Sequence, residues 1–102
     1  MIRALLPALF MIGCGIPEDD FAAIAADSLC DRVEECEGEF DDNGRANCEA
    51  FWTGAAELLV DLGDLVGETY SPSAGRTCVS ELRSATCGEL NDFEIDCDVF
   101  EP

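Results

Sequence analysis

Seven cysteines and 23 carboxylates are the side chains of this 102-residue chain whose types and spacing could do chemistry. Six of the cysteines, Cys30, Cys36, Cys48, Cys78, Cys87 and Cys97, form an even set beyond Cys14. They include no C-x-x-C pair and the chain has no histidine, which argues against a zinc site and for three disulfides. Paired carboxylates can hydrolyse glycosides when held at a defined separation. With 23 of them and no cleft-forming pattern, any chosen pair is arbitrary. A Ser-His-Asp triad is excluded by the missing histidine. The chain is therefore expected to be no enzyme and to carry no cofactor.

A calcium loop is the remaining chemistry to test. Glu39, Asp41 and Asn43 alternate and Gly44 follows, as in the first half of an EF-hand loop. Counting Gly44 as the sixth loop position puts Ala50 at the twelfth, where a bidentate glutamate is required. No metal site is assigned, and the run is read as an Asp/Asn/Gly turn that caps a following helix.

The 23 acids face only five arginines and no lysine, for a net charge of -18. Charge of this size speaks to solubility and association, not to fold. It disfavours nucleic acid as a partner and leaves a basic protein as a candidate. Glu34, Glu35, Glu37, Glu39, Asp41 and Asp42 crowd one short stretch and are the candidate interaction residues. The length allows one small domain, for which disulfides offset a limited core.

Ahead of that domain, Arg3 precedes an apolar run from Ala4 to Ile12, followed by Gly13 and Cys14. The run is far below the ~20 residues needed to span a bilayer as a helix, and fits the apolar region of a secretory signal. Met11-Ile12-Gly13-Cys14 resembles the lipobox of bacterial lipoproteins. The resemblance implies cleavage after Gly13, lipid on Cys14 and attachment to a membrane. It also explains the odd cysteine, because lipid would cap Cys14 and leave six to pair. Gly15 stands where such families place an inner-membrane-retaining aspartate, so the resemblance implies a cell-envelope protein of the outer membrane. The domains expected are a signal over residues 1–13, a lipidated cysteine with a short tether over 14–17, and a cysteine-rich helical domain over 18–102.

Within the domain, Ala22, Ala26, Leu29, Val33 and Cys36 recur at helical spacing, so a first helix is expected from Glu18 to near Gly38. Glu18, Asp19 and Asp20 suit the positive end of its dipole. A second helix carries Cys48, Phe51, Trp52, Ala55, Leu58, Leu59, Leu62, Leu65 and Val66 on a stripe broad enough to meet two neighbours, with Phe51 and Trp52 read as core. Ser71 and Pro72 mark the start of a third helix, expected to run to Cys87 and stop at Gly88. Phe93, Ile95, Cys97 and Val99 then alternate with acids, predicting an extended tail laid across the helices. The fold class expected is all-α, a small disulfide-stapled bundle of about three helices with that tail. Six cysteines allow fifteen pairings. Helix geometry favours Cys36 with Cys48, Cys87 with Cys97, and Cys30 with Cys78, with Cys78 and Cys87 on opposite faces of one helix.

The cysteine spacing, with CVSELRSATCGEL near the C-terminal end, resembles that of small cysteine-rich lipoproteins of myxobacteria and their relatives. That resemblance implies fold and location and no activity. The function expected is a non-catalytic envelope lipoprotein presenting an acidic helical domain for structural or interaction roles. The alternative is an inhibitor or immunity-type binder of a basic protein.

Overall fold

The computed structural model describes residues 15–92, 95 and 97–101, so the candidate lipidation site Cys14 lies outside the described residues. Among the described residues four helices follow one another: α1 Glu18–Glu37, α2 Asp42–Leu65, α3 Pro72–Ser84 and α4 Cys87–Asp92. The class is all-α, and among the described residues extended pairing is limited to one antiparallel bridge between Tyr70 and Phe100.

Local chemistry sets most helix ends. The three acids of the first turn favour the start of α1, and Gly38, at φ +104°, ends it with its N–H donating to the Glu34 carbonyl at 2.9 Å. Asp41 caps α2 by accepting the Gly44 N–H at 2.7 Å, so the acidic turn works as a helix cap. Ser71 accepts the Ala74 N–H at 3.2 Å and Pro72 opens α3. The expected run of α3 to Cys87 is corrected: it stops at Ser84, and Thr86 caps a new helix that starts at Cys87. Thr86 Oγ1 accepts the Glu89 N–H at 3.1 Å while Glu89 Oε1 accepts the Thr86 N–H at 2.8 Å, a reciprocal capping box that makes Gly88 part of α4.

The other three helices rest on α1, while α2 and α3 scarcely touch. The core comprises Phe21, Ala25, Val60, Tyr70, Cys78, Val79, Leu82 and Val99. The second helix is therefore placed differently from expectation. It enters the core by the narrow edge of Ala56, Val60 and Gly63, and Gly63 admits the Phe100 ring against its backbone. Among the described helices only α1 packs substantially against α2, and Phe51, Leu58, Leu62, Leu65 and Val66 stay exposed, Leu65 to 81%. Phe51, read from sequence as core, is 65% exposed.

The disulfides are Cys30–Cys48, Cys36–Cys87 and Cys78–Cys97, with Cα separations of 6.2, 5.6 and 4.6 Å inside the usual range. All three expected pairs are thus wrong, although Cys78 and Cys87 do take different partners. Antiparallel helices oppose residues equally far from their turn. Cys30 lies seven residues before the end of α1 and Cys48 six after the start of α2, so they meet. The break at Ala85 and Thr86 carries Cys87 to the end of α1 and leaves Cys78 for the tail.

The expected tether is also docked. Gly15 is buried, the Ile16 N–H donates to the Pro72 carbonyl at 3.0 Å, and Tyr70 Oη donates to the Ile16 carbonyl at 2.7 Å. Residues 15 and 16 are packed parts of the domain, because Tyr70 and Pro72, where the chain enters α3, offer Ile16 hydrogen-bond partners.

Candidate functional site

The exposed stripe of α2 borders an apolar groove of about 470 Å³. One face of α1, from Phe21 through Leu29 to Glu37, forms its floor. Trp52, Ala55 and Leu59 of α2 form one wall, and Leu82, Leu90, Ile95 and Cys97 stand opposite. It exists because α2 and α3 both pack on α1 without closing on each other. Cys36–Cys87 and Cys78–Cys97 hold the far wall in place, one through α4 and one through the tail. Phe51 and Trp52 meet edge to face at a centroid distance of 4.9 Å on the α2 side. Trp52 is half-buried there, so the pair read as core instead stands beside an open groove.

A second, polar depression of about 260 Å³ lies between the start of α1 and α2, lined by Glu18, Asp19, Ala22, Glu57, Val60 and Asp61. Among the described residues no group of three or more His, Cys, Asp or Glu side chains is arranged to hold a metal ion. No helix among them is long and apolar enough to cross a membrane.

The six candidate acids are brought to one end of the α1–α2 hairpin, but not as a uniform face. Glu34 accepts the Phe40 N–H at 3.0 Å and pairs with Arg45, Glu35 pairs with Arg32, and Asp41 is the cap of α2. Glu37 lines the groove, and Glu39 and Asp42 are exposed. Half of the set is therefore engaged within the domain, and of these Glu34 is the one that links α1 to the turn and to α2.

Arg45 is the centre of that link and was not singled out by sequence reasoning. It pairs with Asp27 at 2.8 Å, Asp31 at 2.9 Å and Glu49 at 2.6 Å, and also with Glu34. The Glu49 hydrogen bond, followed by that of Asp31, raises its pKa further above the ordinary arginine value. The clue in the sequence was Arg45 four residues before Glu49, the spacing of a helical ion pair. Arg32 donates from Nε to the Ala85 carbonyl at 3.0 Å, and Arg83 from Nε to buried Ser28 at 3.1 Å. These two tie α1 to α3 and to the break that follows it.

No family model, curated protein or solved structure matches this chain. What the site can do is therefore argued from its geometry: a mostly apolar groove with Glu37 in its lining, and the exposed stripe beside it on a strongly acidic domain, form a surface suited to binding.

Proposed function

We propose that this chain is a non-catalytic envelope lipoprotein, anchored by lipid on Cys14 and presenting its acidic, disulfide-stabilised helical domain for structural or interaction roles. The observation that carries the interaction role is the exposed stripe of Phe51, Leu58, Leu62, Leu65 and Val66. Contiguous apolar surface of this kind marks sites of association. The docked Gly15 and Ile16 support the anchor, since they bring the start of the described chain beside the bridge of Tyr70 with Phe100. The Phe100 ring rests on Gly63, which places the apolar end of α2 at that same end of the molecule. The myxobacterial resemblance and Gly15 support the outer membrane as location.

The test has two parts. The wild-type chain is expected to incorporate labelled fatty acid in a competent bacterium, and Cys14→Ser to remain an unprocessed precursor; absence of label in the wild type would refute the anchor. A photo-crosslinking residue at Leu62 or Leu65 is expected to capture an envelope component that the same residue at exposed Arg76 does not. Equal capture at the three positions would refute a specific face.

The exposed Glu39 and Asp42, with Glu37 at the groove, favour the second reading, a binder of a basic protein. Association through them would slow as salt rises, because exposed charges are screened beyond ~8 Å at physiological ionic strength. A partner indifferent to salt and to neutralisation of these three would exclude it.

A further inference from the structure

The three disulfides differ in what surrounds their cysteines. Cys30 is 0% exposed and Cys78 1%, while their partners Cys48 and Cys97 are half-buried. In Cys36–Cys87 neither residue is enclosed, since Cys87 is exposed and Cys36 half-buried. Thiol–disulfide exchange needs a thiolate to reach one sulfur and the other sulfur to leave, and it is faster when the leaving thiol has a lower pKa. Attack at Cys48 or Cys97 would release a thiolate at Cys30 or Cys78, where burial disfavours the charged form. Attack at Cys87 releases Cys36 at a position open to water. Access and leaving group together single out Cys36–Cys87.

The same bond is the firm tie between α4 and α1. Helix α4 has six residues, none of them buried, and leans only lightly on α1. Its capping box joins Thr86 to Glu89 and adds no tie to another helix. A helix of this length is not stable by itself. On either side the chain is fixed by other means. Buried Ala85 accepts a hydrogen bond from Arg32 of α1, and Ile95 and Cys97 pack against the core, Cys97 through its bond to Cys78. Leu90 and Asn91 of α4 line the groove, as does Glu37, the neighbour of Cys36 in α1.

We propose that Cys36–Cys87 is a redox-sensitive clasp: a dithiol opens it ahead of the other two bonds, and α4 then comes away from α1 and widens the groove. A donor thiolate attacks Cys87 Sγ, the Cys36–Cys87 bond breaks, and Cys36 leaves as a thiolate that takes a proton. The donor's second thiolate attacks the donor sulfur of the mixed disulfide, which closes the donor's own disulfide and releases Cys87 to take a second proton. Two electrons pass from the dithiol, which is oxidised, to the cystine, which is reduced. Cys30–Cys48 and Cys78–Cys97 keep the rest of the fold stapled. This goes beyond the proposed function and depends neither on lipid at Cys14 nor on a partner.

The test uses the full chain carrying Cys14→Ser, which removes the seventh thiol. Native protein is treated with limiting dithiothreitol, quenched at intervals with acid and N-ethylmaleimide, and the labelled cysteines are located by mass spectrometry. Cys36 and Cys87 are expected to be labelled at least tenfold faster than the other four, and the three pairs within about threefold of one another in concentrated urea. Hydrogen exchange then reads the helix. In the variant carrying both Cys36→Ser and Cys87→Ser, the Leu90 amide, which donates to the Thr86 carbonyl at 3.0 Å, is expected to accelerate at least tenfold more than the amides of Val79 and Leu82. Where that variant does not fold, wild-type pairing opened selectively and labelled gives the same reading. Labelling of Cys48 or Cys97 as early as Cys87 in the native protein would overturn the proposal. So would selectivity that persists in urea, which would assign it to local sequence, or α4 exchange that is unchanged once the bond is open.

Discussion

Tyr70 carries more of the architecture than any residue marked by sequence reasoning. Its ring packs against Phe21 at 5.6 Å, its hydroxyl holds Ile16, and its backbone bridges to Phe100. Burial, and then the charge of Glu18, push its phenol up to about 12. The unfolded phenol titrates near ~10, so the folded pKa is the higher one. Its contribution is therefore complete below pH ~10 and is lost as pH rises through the folded value. Urea unfolding is expected to show stability falling by roughly 2 kcal/mol across that window. Tyr70→Phe should flatten this dependence and cost about 1 kcal/mol at neutral pH for the lost hydrogen bond. Gly15 also has a structural duty beside its sorting implication. At φ +115° an added Cβ would stand 2.6 Å from the Pro72 carbonyl carbon and oxygen. Gly15→Ala is expected to destabilise the domain by about 1–3 kcal/mol, measurable by thermal unfolding. At this scale the caps at Asp41 and Ser71 were legible, because a cap depends on three or four neighbouring residues. The capping box of Thr86 and Glu89 was equally local and was overlooked, since the helical pattern running into Cys87 masked it.

Helix α2 shows where periodicity stops being informative. A stripe of apolar residues proves a helix with an apolar side, but not that the side is covered. Replacing Leu58, Leu62 and Leu65 together with glutamine is expected to move stability by less than about 0.5 kcal/mol per site, as for other exposed positions. Val60→Ala should by itself cost about 1–3 kcal/mol, because Val60 sits in the core. Thermal unfolding of the two variants would invert this order if the stripe were packed. The disulfides join the elements unequally. Cys36–Cys87 closes a separation of 51 residues and Cys30–Cys48 one of 18. In the chain-entropy account, replacing the former pair by serines is expected to cost about 0.9 kcal/mol more than replacing the latter. Chemical denaturation of the two double variants measures that difference. Pairing between Cys30 and Cys48 would have been legible once the start of α2 was placed at Asp42, since distance from the turn decides it.

At the scale of the molecule, charge and topology dominate. With 23 acids in the chain, self-repulsion opposes the compact state and is screened by salt. Melting temperature is expected to rise from low salt to ~0.15 M. Arg45→Gln, which removes the one cation shared by Asp27, Asp31, Glu34 and Glu49, should melt lower at low salt and recover much of the gap as salt is added. A salt-independent gap would mean that Arg45 acts through packing alone. The sequence by itself determined what depends on short spans: helical class, the starts of α1 and α3, an even set of six bonding cysteines, an acidic surface and an extended tail pinned at Cys97. Tertiary structure alone decided what depends on which elements meet. That includes α1 as the common support, two of the three disulfides, the docking of Gly15 and Ile16, and the groove left open between α2 and α3. The physical reason is that caps and periodicity are energies of neighbouring residues. The choice of which apolar edge enters the core is made by competition among distant elements, here won by Ala56, Val60 and Gly63, where the missing side chain of Gly63 admits the Phe100 ring.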